Sequence, residues 1–457
     1  MGNWPYKTII EPFKAKMVEP IVFTTRTQRL QILDDAGYNL FNIPADKVTI
    51  DFLTDSGTSA MSALQWSAMM RGDESYAGAK SFFVFKDVVG RLTGMEHVIP
   101  VHQGRAAERI LFGVVGGKGK KIPGNTHFDT TRANIEASGA EAHDFPCSEA
   151  DDLLSEYPFK GNFDLNKLEK FLNRYAADVP LCLATMTNNA LGGQPISMAN
   201  LRALRALLQR FEIPLFIDAA RFAENAYFIK LREPGYQDKK IIDIVREMFT
   251  LAEGCLFSAK KDAFANIGGF LALNDSKWVE SVRNELILTE GFITYGGLAG
   301  RDLEAIAQGL LEVIDEDYLI YRIRSTQYFG QGLLNAGVPV VQPIGGHAIY
   351  IDAGVFLPHI KPEQFPAHSL ACEFYLEGGI RSCEMGSLTF GEHARRQLLR
   401  MAIPRRVYTQ SHIDWVIELA GIIAEKKESL AGYRIVKAPK ELRHFTARLE
   451  PLALTRV

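Results

Sequence analysis

A chain of 457 residues, 47% hydrophobic and 23% charged, holds enough apolar material for two domains, or for one large α/β domain with a smaller partner. A formal net charge of −3 excludes the strongly basic surface that nucleic acid requires, and no apolar run reaches bilayer length. The five cysteines, Cys147, Cys182, Cys255, Cys372 and Cys383, fall in no metal-ligand or CxxC spacing, which predicts free thiols in a reducing compartment.

In chain order, "MGNWPYKTIIEPFKAK" lacks a signal-peptide core, and Tyr6 stands where myristoylation at Gly2 wants Ser or Thr. The expectation is a cytoplasmic protein. At His102–Phe112, "HQGRAAERILF" reads as a polar glycine turn that opens an apolar-periodic helix. Pro180–Met186 is a nearly continuous apolar run, as a buried parallel strand should be. Ser197 is placed to cap a helix on which Leu201, Leu204, Leu208 and Phe211 recur at helical spacing. Ile213–Ala220 predicts a second buried strand. Ile241, Ile242, Val245, Met248, Phe249 and Ala252 predict a further amphipathic helix, and "CLFSAKK" and "GGFLAL" two short strands. Strand–helix–strand repetition predicts an α/β domain on a mixed, mostly parallel sheet. Beyond about residue 310 the texture becomes α+β: a helix from Asp302, alternation in "VPVVQPIGGHAIYIDA", then helices in "SLACEFYLEGG" and "IDWVIELAGIIAEKKE". The expected domains are an N-terminal arm with part of the small domain (1–55), a large domain (56–310) and a small C-terminal domain (311–457). No repeat or flexible linker separates them.

Three constellations carry chemistry. Asp218 closes an apolar strand, where open α/β sheets bind their ligands; the plainer reading is a helix cap. Lys260 and Lys261 stand together in "SAKKDAFANIGGF". An adjacent Lys pair is commonly an exposed turn, but these flanks are apolar and glycine-rich. Burial and a neighbouring cation both lower a lysine's pKa, as an amine that attacks a carbonyl requires. The turn at Gln103–Arg105 offers backbone N–H groups and a guanidinium to a phosphate, although many helices start with a glycine turn. Taken in order, they describe a pyridoxal 5′-phosphate site. One lysine would bond the aldehyde, Asp218 would keep the ring nitrogen protonated, and Arg221 would reach the phenolic oxygen.

At these residues the chain resembles a known family. "EPFKAKMVEP", "DFLTDSGTSAMS", "RGDESYAGAKSFF", "HQGRAAE", "NALGGQPISMANLRA", "DAARFAENAYFIK", "SAKKDAFANIGGF", "YGGLAGRDLEA", "AIPRRVYTQSH" and "LRHFTARL" are similar, over nearly the whole chain, to the β-eliminating lyases. These are fold type I pyridoxal phosphate enzymes with tryptophan-cleaving and tyrosine-cleaving branches. The resemblance implies that Lys261 carries the cofactor and then acts as base. It implies that Gln103, Gly104, Arg105, Ser258 and Lys260 hold the phosphate, that Phe128 stacks on the ring, that Asp218 pairs with the ring nitrogen, and that Asn189 and Arg221 bind the phenolic oxygen. Arg400 would grip the substrate carboxylate, helped by Thr54, Ser56 and Asn189; a guanidinium suits this through two parallel bonds. Tyr76 would protonate the leaving aromatic carbon. Tyr295 would come from a neighbouring subunit of a homo-oligomer, usually a tetramer. A monovalent cation, usually potassium, would take the Glu74 carboxylate and the carbonyls of Gly57 and Asn266; oxygen ligands suit a hard cation.

Three positions bear on the branch. Phe128-Asp129-Thr130-Thr131 and Arg443-His444-Phe445-Thr446 match the tryptophan-cleaving pattern, and Met385 stands where the tyrosine-cleaving branch has an arginine for the phenol. Each residue alone has a bland reading: a turn cap, gap filler, a core histidine. Together they imply L-tryptophan as substrate, with Asp129 and His444 assisting at the indole and Met385 packing on it; the alternative is L-tyrosine, or another fold type I reaction such as transamination. "SLTFGEHARRQLL" (387–399) is shorter than in many members, which bears on loop closure and side specificity.

Overall fold

The apolar runs become strands of one seven-stranded sheet: β1 (His97–Val101), β2 (Lys121–Gly124), β3 (Glu141–Asp144), β4 (Cys182–Thr185), β5 (Leu215–Asp218), β6 (Gly254–Ser258) and β7 (Gly269–Leu273), in the order β1-β7-β6-β5-β4-β2-β3. They belong to a computed structural model that describes residues 8–274, 276–440 and 442–453. Gly2 and Tyr6, on which the terminal reading rests, lie outside the described residues, as do the outermost ends of the expected domains.

Strands β3, β2, β4, β5 and β6 run parallel, and β7 is antiparallel to both its neighbours. The sheet is thus mixed and mostly parallel, as expected, with its reversal at β7. The connection 259–268 is too short for a crossover helix, so the chain must double back. Helices α1 (Gly104–Val115), α2 (Asp129–Ala137), α3 (Met198–Gln209), α4 (Phe222–Arg232) and α5 (Ile241–Thr250) follow strands β1, β2, β4 and β5 as the βα repetition requires. Ser197 caps α3 by accepting the Asn200 N–H. On α5 the inner position falls to Ile244, while Ile242 is only partly buried. One core cluster joins α1 (Ala106, Ala107, Ile110, Leu111, Phe112) to β1, β4, β5 and β7. Helix Gly300–Glu312 starts two residues before the expected Asp302, and its first residue must be glycine, since a Cβ there would stand 1.9 Å from the Asp73 carbonyl.

The chain divides into two compact units. The first is Ser56–Arg322; the second joins the described residues up to Asp55 to those from Ile323 onward. The division falls inside the continuous helix Glu316–Asn335 rather than at 310. The second unit is built on a three-stranded antiparallel sheet of β8 (Ala348–Asp352), β9 (Cys383–Met385) and β10 (Leu398–Ala402), ordered β9-β10-β8, with helices α6 (Pro366–Gly378) and α7 (Gln410–Glu425). The expected strand around 338–342 shrinks to a bridge, Val340 to Ile351, because the flanking prolines 339 and 343 lack the N–H a ladder needs. Residues 50–55 belong to this unit. Ile50–Asp51 pairs with Ile380–Arg381, the Ala402 N–H donates to Phe52 O (2.9 Å), and Arg405 meets Asp55 (2.9 Å) in full burial. All five cysteines are free and buried.

Candidate active site

The parallel register lines Thr185, Asp218 and Leu256 across the carboxyl ends of β4, β5 and β6. Asp218 is partly exposed there and accepts the Ala220 N–H (3.2 Å). Burial raises its pKa, countered by the charges of Lys261 and Arg221. Arg221 is buried, and its N–H is tied to Met186 O (3.1 Å). Lys261 sits in the turn after β6, its N–H on Ser258 O (3.2 Å) and its carbonyl on the Phe264 N–H (3.1 Å). Asp262, beside it and fully buried, accepts the Ala223 N–H (2.9 Å) at the start of α4. That bond ties the lysine turn to the helix that Arg221 precedes. The sheet thus gathers a carboxylate, an amine and a guanidinium at one edge.

An anion cradle adjoins them. Gln103 is extended and bridges to Gly268, whose N–H donates to His102 O (2.7 Å); α1 then begins at Gly104 without a side-chain cap. A Cβ on Gly104 would stand 2.8 Å from Ser258 Cβ, and one on Gly269 3.0 Å from the Gly104 nitrogen. Glycine is what lets the helix start lie against Ser258. Arg105 is exposed. The Lys260 ammonium has its pKa lowered by burial and then by the charge of Arg105. Two cations that repel each other beside a helix N-terminus are what a bound phosphate would relieve. The donor set therefore fits a phosphorylated cofactor whose ring nitrogen faces a carboxylate.

Phe128 is the residue before α2 and Asp129 opens its first turn, its Oδ1 accepting the Thr130 N–H (2.6 Å). Asn189 is buried in the short turn Asn189–Leu191. Tyr76 and Tyr295, expected in different subunits' sites, are neighbours on one chain: their rings lie 5.3 Å apart, and Phe292 stacks on Tyr76 at 5.7 Å. A hydrogen bond to Tyr295 raises the Tyr76 phenol's pKa. Of the residues expected at the cation, Gly57 and Asn266 come together, the Asn266 amide donating to Gly57 O (3.1 Å), while Glu74 pairs with Arg301. Gly57 also binds the lysine turn, its N–H donating to Lys260 O (2.7 Å) at a left-handed φ of 78°. Ser56 is partly buried at the start of this unit. Among the described residues no cluster of His, Cys, Asp and Glu could hold a metal ion.

In the second unit, Arg400 on β10 pairs with Cys383 on β9, and Met385 with Leu398. Paired residues share a face and alternate residues repeat it, so Arg400 and Met385 emerge on the same side. The Arg400 Nη2 donates to Leu53 O (3.2 Å), next to the partly buried Thr54. Buried Glu384 accepts the N–H groups of Leu388 (3.1 Å) and Thr389 (3.0 Å) and the Thr389 hydroxyl (2.7 Å), folding the start of segment 387–399 into the short helix Ser387–Phe390. Arg443 donates to Leu388 O (2.9 Å) and Ser387 O. The adjacent His444 is buried, and its carbonyl accepts the Asn39 amide (3.1 Å). The segments bearing Met385 and His444 are thereby fastened to each other.

Sequence reasoning passed over three groups. Glu108 is buried on α1, where burial and then the Asp218 charge push its carboxyl up to about 7. Asp144 takes the His127 N–H (3.0 Å) and ring Nδ1 (2.7 Å) next to Phe128. Glu290 holds the His102 N–H (3.1 Å) and ring, joining the cradle to the loop of Tyr295. The available signal for Glu108 was a carboxylate on the stripe otherwise formed by Leu111, Phe112 and Val115.

Comparison with known proteins adds to this geometry. Residues 51–419 match the family described as beta-eliminating lyase. The chain is 58% identical to a tryptophanase of Salinibacter ruber, covering 98% of this chain and 96% of the relative, and 56% identical to that of Rhodobacter capsulatus, covering 98% and 100%. A tyrosine phenol-lyase of Symbiobacterium is 47% identical over 97% of this chain and 99% of its own. Among solved structures, a serine palmitoyltransferase of Sphingomonas wittichii superposes with a TM-score of 0.63 at 14% identity, covering 88% of this chain and 97% of the other. That likeness shows the fold, the fold type I architecture expected from the sequence.

Proposed function

The chain belongs to the beta-eliminating lyase family, and from that membership we propose that it cleaves L-tryptophan to indole, pyruvate and ammonia with pyridoxal 5′-phosphate. The observation that carries the choice of substrate is Met385 on the same sheet face as Arg400. Arg400 would bind the α-carboxylate, with Thr54, Ser56 and Asn189 beside it, and a thioether there packs on an indole but donates nothing to a phenol. The higher identity to tryptophanases than to the tyrosine phenol-lyase supports the same reading.

Gln103, Gly104, Arg105, Ser258 and Lys260 would hold the cofactor phosphate, Phe128 would cover the ring, and Asn189 and Arg221 would bind its phenolic oxygen. When bound, pyridoxal phosphate accepts the electron pair of the breaking Cα–H bond into its ring. Lys261 would hold the cofactor, and its free amine would take the α-proton; its turn is anchored through Asp262 and Gly57. Asp218 keeps the proton on the ring nitrogen. Tyr76 delivers a proton to the indole carbon that leaves, and Asp129 faces the positive charge this creates on the indole nitrogen, with His444 contacting the ring. Potassium would take the Gly57 and Asn266 carbonyls and the Glu74 carboxylate, released from Arg301. The assembly is a homotetramer whose sites are shared between subunits; because Tyr76 and Tyr295 are neighbours, a surface that lends one lends both. The protein acts in the cytoplasm, and among the described residues no helix is long and apolar enough to cross a membrane.

The test is a paired assay of purified protein with cofactor and potassium. Indole from L-tryptophan should outpace phenol from L-tyrosine; the reverse order sinks the assignment.

A further inference from the structure

Glu108 lies one turn beyond the phosphate cradle, on the face that α1 buries, and is 8% exposed. Its Oε1 accepts the Thr131 hydroxyl (2.5 Å) and its Oε2 the Asn134 amide (3.0 Å). Both donors stand on α2, the helix that begins directly after Phe128 with Asp129. From the other side Asp144 on β3 takes the His127 N–H and ring and the Arg132 guanidinium (2.5 Å). The start of α2 is thus held by one carboxylate on each flank.

A carboxylate is a costly way to fill an apolar stripe, and a leucine of similar volume would cost less. What it adds is direction. Apolar helix contacts tolerate small slides, whereas two hydrogen bonds to residues a turn apart fix one register. Since α1 begins at the phosphate cradle and α2 at Phe128–Asp129, that register sets the distance between the phosphate and the two groups assigned to the ring and the indole.

We propose that Glu108 is a positioning residue for tryptophan cleavage: by locking α2 to α1 it places Asp129 opposite the departing indole and Phe128 over the cofactor ring. The inference rests on the function proposed above. The charge of Glu108 is secondary to its two acceptor sites, so glutamine, which can accept from Thr131 and pair with a turned Asn134 amide, serves in its place.

The experiment is a double-mutant cycle on the holoenzyme with L-tryptophan, read alongside the visible circular dichroism of the bound cofactor. Misplacement by even an ångström can cost on the order of a hundred-fold, so Glu108→Ala should lower kcat/KM at least roughly ten-fold in the parent. In an Asp129→Asn background the same change should cost several-fold less than in the parent, since one of the two groups it positions is already disabled and only the placement of Phe128 is still at stake. Glu108→Gln should restore both rate and dichroism. Equal losses in both backgrounds, or a glutamine variant no better than alanine, overturn the proposal. Should Glu108→Ala fail to fold, Thr131→Val removes one of the bonds from the other end; it should show the same background dependence, and a loss independent of Asp129 rejects the idea. If the parent releases no indole, the functional reading has failed instead, and the dichroism of the Glu108 variants still decides whether Glu108 sets the ring's surroundings.

Discussion

At Gly104 a hydrogen atom stands where any other residue would put a carbon 2.8 Å from Ser258 Cβ. Gly104→Ala must push the helix start off β6, the kind of overpacking that costs about 1–3 kcal/mol, and the displaced atoms are those of the anion cradle. Cofactor affinity should therefore fall roughly ten-fold or more, measured by absorbance titration, for each 1.4 kcal/mol expressed at the cradle. An unchanged affinity would show that the phosphate is held elsewhere. The two lysines separate at this scale. The Lys260 ammonium answers to Arg105, whereas the Lys261 charge acts on Asp218 and Glu108. Lys261→Ala should accordingly abolish the visible band of bound cofactor, while Lys260→Ala should keep that band and weaken retention of the phosphate. Composition and spacing gave both lysines equal standing; only the resemblance and the turn geometry distinguish them. Glu108 was illegible because one acidic residue on an amphipathic stripe looks like an error in the pattern until its partners on α2 are in view.

Among the elements, α2 owes its placement to Asp144 as much as to its own sequence. Burial is the largest influence on the Asp144 carboxyl and raises its pKa, but the His127 hydrogen bond and the charges of His127 and Arg132 outweigh it, leaving the pKa below the ordinary value. A carboxyl depressed by folding contributes stability above its unfolded pKa and loses it as pH falls through the folded one. Asp144→Asn should therefore destabilise at neutral pH by about 1–3 kcal/mol, because charged hydrogen bonds to buried His127 are weakened. The gap between variant and parent should begin to narrow as pH drops below about 4, the ordinary carboxylate value, and should close only below the depressed folded value, where both carry an uncharged side chain. Urea melts at pH 7 and pH 3.5 would check this, and a gap that widens in acid would refute it. Strands β4, β5 and β6 were legible because buried parallel strands are continuous apolar runs. A mixed sheet was expected, but the place of its reversal, at β7, was not legible, since an apolar run carries no direction; only the short connection 259–268 hinted at it. The prolines that reduce 338–342 to a bridge were visible, and alternation outweighed them in the reading.

For the molecule as a whole, the second unit is closed by a charge pair distant in sequence. Arg405 is 0% exposed and Asp55 2%, and no alternation or motif announced their meeting. Asp55→Ala would take the carboxylate away from a fully buried guanidinium, and breaking a buried pair from one side typically costs about 3–5 kcal/mol. Calorimetry should show the loss in the unit formed by the described residues up to Asp55 and those from Ile323 onward, and a melting temperature within a degree or so of the parent would contradict it. The shared-site reading has its own test at this scale. Chains carrying Lys261→Ala and chains carrying Tyr76→Phe with Tyr295→Phe, each inactive alone, should regain indole release when unfolded and refolded together. No recovery in the mixture would mean that each chain's tyrosines serve its own lysine.

The burial of all five thiols has a practical reach. A bulky thiol reagent can touch this protein only when the chain opens, so the rate of modification counts openings rather than surface chemistry. Each cysteine then becomes a clock for its own neighbourhood: Cys182 and Cys255 inside the large sheet, Cys372 on α6, Cys383 on β9 beside Met385. Comparing the five rates with and without cofactor would map, position by position, how far the grip on a small ring is felt through the rest of the fold.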